Sequence, residues 1–539
     1  MILPRLVRRS ALALGSVAVL VALAACTSGT SSTSTGASDV LRVDDSTAPA
    51  SLDPAAVCSI EDLGLLSDLY PTLTQYAVKS GGAQDAQTVD ASKAVPDLAA
   101  SWDTSSDGLT WTFHLNPDAK FASGNPITAP VVEWSWERAL KLGSCGTSFV
   151  NGSNISKVTS ITTPDDHTVV TKLSARDPDY LLALTSVGSG IVDQKLVEQH
   201  GTTADEQNTW LASHFAGGAA YKVDSYVAGT SLALSANDNY YGTAPLTKKV
   251  TVTFISDDAS LLLRARNGSA DVTLGLTKQS VASLKSDSKV KIIDNEAAAW
   301  QLIGLPNAVA PFDNATFREA LTYATPQDEL VSKVAYGYGK AFYGPLSRAF
   351  PAYDAASSAP RAYDIAKAKQ LVKESGVTGT VKIDVYVRQG VNDQKQIATI
   401  LQDSWKQLGV DLAVKQLSSA EYQKAVSAPE KKSAIIRFDG PSVLTPGWLL
   451  SYDATCGSAY NQSNYCNPKV DSTLQKALAA TSDKQRQDYY DQITKLWIAD
   501  SPRAIAYAQD YTAVLQKDVT NYSFAQNNTL FHLWAKSGK

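Results

Sequence analysis

The sequence predicts an α/β fold with mixed sheets. Two observations carry that expectation: strand-like and helix-like segments alternate from end to end, and no short-period repeat turns the alternation into a solenoid or propeller. At 539 residues the chain is long enough for two or three domains. Asp107-Gly108 is a turn signal, so the alternating run Leu109 to Leu115 reads as the second strand of a hairpin. Pro130 to Leu140 has helical spacing, with proline at the start, where a missing N–H costs nothing. Lys248 to Ile255 reads as a strand, and Asp257 to Asn267 as a helix closed by Gly268. Further on, Asp364 caps a helix through Lys373 that stops at Gly376, and Val381 to Val387 is a strand. Ile397, Ile400, Leu401, Trp405 and Leu408 form one helical stripe, followed by a strand from Asp411 to Leu417.

The first 25 residues read as an export signal. Arg5, Arg8 and Arg9 precede an apolar run from Ala11 to Ala25, which is too short to span a bilayer. Leu23-Ala24-Ala25-Cys26 resembles the lipobox of bacterial lipoproteins, which places acylation on Cys26. Several acyl chains at one end meet the requirement of stable membrane attachment for more than one anchoring signal. Residues 26–38, nearly all Ser, Thr, Gly and Ala after the cysteine, then form a flexible tether. The expected location is outside the cell, held by lipid to the outer face of the cell membrane. The net charge is −5, and −8 once the three leader arginines are removed. Mild acidity over so large a body disfavours nucleic acid and anionic lipid as main partners.

Four cysteines remain beyond Cys26. An even count in an exported chain reads as two disulfides, with three possible connectivities. Cys456 and Cys466 bracket a polar loop that a bridge would staple, which favours Cys456–Cys466 and, by elimination, Cys58–Cys145. A zinc site is disfavoured, because neither pair has metal-finger spacing and no histidine lies near. No metal, cofactor or catalytic residue is expected. The five histidines are scattered, no His-Glu-x-x-His or Gly-x-Ser-x-Gly is present, and Gly337-x-Gly339-x-x-Phe342 fails at its third glycine. The pairs Asp165-Asp166 and Asp257-Asp258 sit at turns or helix starts, where capping accounts for them.

Several phrases, in register from about Leu52 to about Tyr522, resemble the extracytoplasmic solute-binding proteins, family 5, whose best-known members are the dipeptide- and oligopeptide-binding proteins of ATP-driven importers. They are Ser51-Leu52-Asp53-Pro54, Val95 to Trp102, Ser106 to Leu115, Lys120 to Ala129, Asn237 to Gly242, Phe317 to Ala324, Tyr363 to Leu371, Val470-Asp471 and Arg486 to Pro502. The resemblance implies a type II periplasmic-binding-protein-like fold: two lobes with mixed sheets, a central cleft and an extra inserted domain. Residues 39–60, 190–300 and 500–539 would make a discontinuous first domain, 61–189 an inserted second, and 301–499 a third. The implied role is capture of a short peptide, as a monomer, for delivery to the permease subunits of an ABC importer, without catalysis. A nickel chelate, an oligosaccharide or an opine-like compound are alternative cargoes, peptide-sensing signalling is an alternative role, and an exported hydrolase is a remote third.

A free peptide carries an ammonium and a carboxylate, and burying both requires an opposite charge for each. Arg388, at the end of a strand, aligns with the arginine that receives the ligand carboxylate in dipeptide-binding relatives, though a surface arginine after a strand is the plain reading. Asp439 lies near the position of the relatives' amine anchor, but the surrounding pattern departs from theirs, and Arg437 stands close enough in sequence to pair with it. Trp448 reads equally as a pocket wall or as core.

Overall fold

Alternation of apolar and polar residues sets the strands: Leu41 and Val43 of Val40–Asp45 turn inward, as do Val250 and Val252 of Lys249–Phe254. The computed structural model describes residues 40–79, 87–350, 352–355, 358, 360–458, 460–526 and 528–537. The leader, Cys26 and the tether lie outside the described residues. In the first large sheet the spatial order is Val290–Asn295, Tyr511–Gln516, Val272–Leu274, Val40–Asp45, Lys249–Phe254, Ser231–Ala236, Tyr221–Val227. Val40–Asp45 runs parallel to both its neighbours, and the other pairings are antiparallel, so the sheet is mixed.

The second large sheet orders Gly339–Lys340, Arg503–Gln509, Trp300–Gly304, Ala434–Asp439, Val381–Arg388, Val410–Leu417. Its last three strands are parallel and the rest antiparallel. Helices Ala315–Tyr323, Ile365–Glu374 and Asn392–Lys406 bury Phe317, Leu371, Ile397, Leu401 and Trp405 in a common core with it. A third sheet, antiparallel, takes Ala99–Thr104, Thr110–Leu115, Thr168–Leu173 and Val158–Asp165, and packs on helix Ala129–Leu142 through Trp136.

Two stretches of chain join the large sheets. One leaves the first sheet at Asn295 and enters the second at Trp300; the other ends in the second at Gln509 and resumes in the first at Tyr511, with Asp510 alone between. They run antiparallel side by side: Asn295 faces Tyr511, Trp300 faces Ala508, and the Gln509 N–H donates to the Ala299 carbonyl (2.9 Å). A pair of short strands is the natural form of a hinge, because a few φ/ψ changes there rotate whole sheets. The strand Arg503–Gln509 thus lies in the second sheet although it falls within segment 500–539.

The local expectations fare well. Gly108 turns the hairpin at φ 71°, Asp257 caps helix Asp258–Asn267 by accepting from the Ser260 N–H, and Gly268 ends it at φ 73°. Asp364 caps Ile365–Glu374 through the Lys367 N–H. Both expected disulfides are present, Cys58–Cys145 and Cys456–Cys466.

Residues of the family-like phrases make buried contacts, some with one another and some with residues outside the phrases. Asp53 is fully buried and takes two hydrogen bonds from Arg138, which is itself 3% exposed (2.9 and 2.5 Å). Asp97 accepts from Tyr241 Oη (2.8 Å) and from the Thr72 N–H, while Asn239 donates to the Phe121 carbonyl. Arg318 donates to the carbonyls of Phe312, Asp500 and Ser501, which closes the end of helix Asp483–Asp500. These are scaffold contacts, each satisfying a buried polar group that would otherwise cost 1–3 kcal/mol or so.

Candidate functional site

Two cavities among the described residues are walled from both joined sheets. The larger, about 350 Å³, is walled on one side by the ends of Val40–Asp45 and Val272–Leu274 and on the other by Gln301, Asp393 and Phe438. The smaller, about 220 Å³, is walled by Arg437, Asp439, Trp448, Tyr452 and Tyr460 together with Cys58 and Ser59. Ile60, Glu61 and Phe438 border both, so the two form one cleft. Each disulfide contributes to the smaller cavity: Cys58 lines it directly, and Tyr460 projects from the loop that Cys456–Cys466 staples, with its Oη 3.9 Å from Cys145 Sγ.

Asp439 ends the strand Ala434–Asp439 and stands in the smaller cavity. Its Oδ1 accepts from Arg437 Nη2 (3.1 Å) and from the Gly440 N–H (3.0 Å). Burial pushes its pKa up, against the attraction of Arg437. Trp448 is 8% exposed and fills both roles open to it. It stacks on Phe149 at 6.3 Å and tilts on Tyr452 at 4.5 Å within the core of the first sheet, and it walls the smaller cavity, its indole Nε1 making no hydrogen bond among the described residues. Arg388 stands apart from both. It is exposed at the end of Val381–Arg388, its Nε donates to Ser419 Oγ (3.1 Å), and it borders neither cavity. The structure therefore brings Asp439 and Trp448 together and leaves Arg388 outside the cleft lining.

Sequence reasoning passed over the residues of the larger cavity. Lys278 Nζ donates to the Asp510 carbonyl (2.5 Å) and to Thr512 Oγ1 (3.1 Å), which ties it to the returning hinge strand. Burial pulls its pKa down to about 8, opposed by Asp294, Asp510 and Asp393. Burial pushes Asp45 up to about 7 against the N–H of Thr47, with repulsion from Glu61 adding to it, and pushes Asp510 up to about 6. Asp393 is raised for the same reason. The signal for two of them was in the sequence: an aspartate ends the first strand at Asp45, and Asp510 interrupts two strand-like runs at the point where the chain changes sheets. Ligand sites in open sheets gather at such strand ends.

Residues 93–461 match the family described as bacterial extracellular solute-binding proteins, family 5 Middle. Among curated proteins the chain is 29% identical, over 90% of its length and 92% of the relative's, to the probable D,D-dipeptide-binding periplasmic protein DdpA of Escherichia coli K12. Among solved structures it is similar to the periplasmic binding protein DppA of Helicobacter pylori in complex with peptide STSA, with TM-score 0.78 and 20% identity over 92% of this chain and 98% of that one. It is also similar to AgaA of A. tumefaciens R10 in complex with agropinic acid, with TM-score 0.77 and 19% identity over 93% and 99%. The structural likenesses establish a type II periplasmic-binding-protein fold. With the match spanning more than two thirds of its length, the chain belongs to the family 5 bacterial extracellular solute-binding proteins.

Proposed function

We propose that the chain is the substrate-capturing lipoprotein of an ABC importer, acylated at Cys26, and that it encloses a short peptide between its lobes and presents it to the permease. The observation that carries this reading is a cleft walled from both large sheets beside two antiparallel connecting strands. A ligand that touches both lobes favours the closed form by its extra contacts, and the permease reads that form. Peptide as cargo is supported by the relative named for D,D-dipeptides and by the neighbour holding a tetrapeptide. It is also supported by Asp439, whose Oδ2 has no hydrogen-bond donor among the described residues and suits a ligand ammonium. Arg388 is the proposed carboxylate partner; its side chain is exposed at a strand end, where lobe closure and a flexible stem bring a guanidinium to a ligand. Export, the acyl anchor and the monomeric state belong to the same proposal.

Native mass spectrometry of the purified protein identifies cargo that copurifies with it. A peptide mass supports the reading, and an opine-like compound, a nickel chelate or an oligosaccharide replaces it. By titration calorimetry Asp439→Ala weakens a bound peptide by tenfold or more, since its ammonium then lies buried without a partner. Unchanged affinity overturns the role of Asp439. Arg388→Ala weakens free-carboxylate peptides and leaves their amides unaffected.

A further inference from the structure

The larger cavity has a one-sided chemistry. Among the described residues four carboxylates border it, those of Asp45, Glu61, Asp393 and Asp510, against a single ammonium. That ammonium, on Lys278, already donates to the Asp510 carbonyl and Thr512 Oγ1, and Asp294 acts on it as well. Two buried amide side chains add to the imbalance. Gln301 is 3% exposed and Asn528 7%, and both border the cavity; Gln301 Nε2 donates to Gln509 Oε1, while Gln301 Oε1 and Asn528 Oδ1 accept no hydrogen bond among the described residues. Gln301 lies in the second sheet and Asn528 in the segment that follows Tyr511–Gln516 of the first, and both residues border the cavity. A buried acceptor left unmade costs free energy, and a cavity holding two of them among carboxylates is complementary to a cation rich in N–H donors. Ile60, Leu276, Phe438 and Tyr522 supply apolar wall for the methylene stem that such a group carries.

We propose that this cavity receives an ammonium or guanidinium group of the cargo, distinct from the amine placed at Asp439, so that the protein selects peptides bearing a basic side chain. The proposal rests on the peptide reading above and specifies its substrate class. A ligand guanidinium or ammonium reaching Gln301, Asn528 and Asp45 bonds both lobes at once, which couples recognition of charge to closure. The raised pKa values of Asp45, Asp393 and Asp510 in the unliganded protein fit the same picture, since carboxylates buried without enough counter-charge hold their protons more tightly.

The test is calorimetry at pH 8 with the full mature chain and two matched series, Ala-X dipeptides and Ala-X-Ala tripeptides with X lysine, arginine, glutamine or glutamate, and with cadaverine as a cation lacking a peptide bond. The lysine or arginine member binds at least tenfold more tightly than the glutamine member, and the glutamate member binds most weakly. Asp45→Asn and Gln301→Met each cut the lysine-over-glutamine ratio at least fivefold, with circular dichroism confirming that each variant is folded. Asp393→Asn, on the opposite lobe, does the same and serves if either of the others unfolds. Equal affinity across X overturns the charge preference and leaves the peptide reading standing. If no peptide binds but cadaverine does, the peptide reading falls and the cation site stands. If neither peptides nor cadaverine bind, both fall.

Discussion

At the scale of single residues, the cleft carboxylates set a dependence on pH with a definite sign. Asp45 and Asp510 hold protons in the folded, unliganded protein up to about pH 7 and about pH 6, whereas an unfolded aspartate loses its proton near pH 4. Between those limits the folded state binds more protons than the unfolded one, so these groups make stability fall as pH rises from about 4 to about 7. Asp45 feels Glu61 and Asp62, while Asp510 feels Asp294, Glu296, Lys340 and Lys278, so the slope belongs to the cluster rather than to one group. Melting of the unliganded protein by calorimetry therefore gives a lower Tm at pH 8 than at pH 6, and Asp45→Asn flattens the difference. A bound cation reverses the preference for protons: affinity for a lysine peptide falls severalfold from pH 8 to pH 5.5, while that for the glutamine peptide changes less.

At the scale of elements, helix Ala129–Leu142 and the residues that follow it are pinned to the segment after the first strand by two devices of different strength. The buried Arg138–Asp53 pair joins helix Ala129–Leu142 to the segment after the first strand. Asp53→Asn strands a buried guanidinium and costs roughly 3–5 kcal/mol, read as a fall in the denaturant midpoint. The Cys58–Cys145 bridge spans 87 residues of sequence. On the loop-entropy account its removal as a double serine variant costs about 4.6 kcal/mol, and the shorter Cys456–Cys466 bridge costs less. Both bridges also hold wall of the smaller cavity, so the double variants weaken peptide binding as well as stability, whereas Asp53→Asn acts on stability first. Helix ends and hairpins were legible in advance because they are local: Asp257, Asp364, Gly108 and Gly268 act on backbone groups within four residues of themselves.

At the scale of the whole molecule, the two connecting strands predict a closing motion. Small-angle scattering shows the radius of gyration contract when saturating peptide is added, and no contraction means that the lobes do not close on that ligand. Intrinsic fluorescence reports the same event, because Trp448 and Trp534 border the cleft.

The α/β class, the mixed sheets and membership of the family were legible in the sequence, since each depends on periodicity, on caps and turns, or on phrases that recur in register; of the disulfides the sequence left three connectivities open, and the favoured one is present. Those phrases make buried scaffold bonds, some to one another, as Asp97 does to Tyr241, and some to residues outside them, as Asp53 does to Arg138, which is why they identify the scaffold and say little about its cargo. The cleft itself was only partly legible. Asp439 and Trp448 border it, Arg388 does not, and Asp45, Lys278, Gln301, Asp393, Asp510 and Asn528 meet there from segments far apart in the chain. Tertiary structure alone decided that meeting, because a cavity's charge balance is a sum over groups that only the packing of two sheets brings within range of one another.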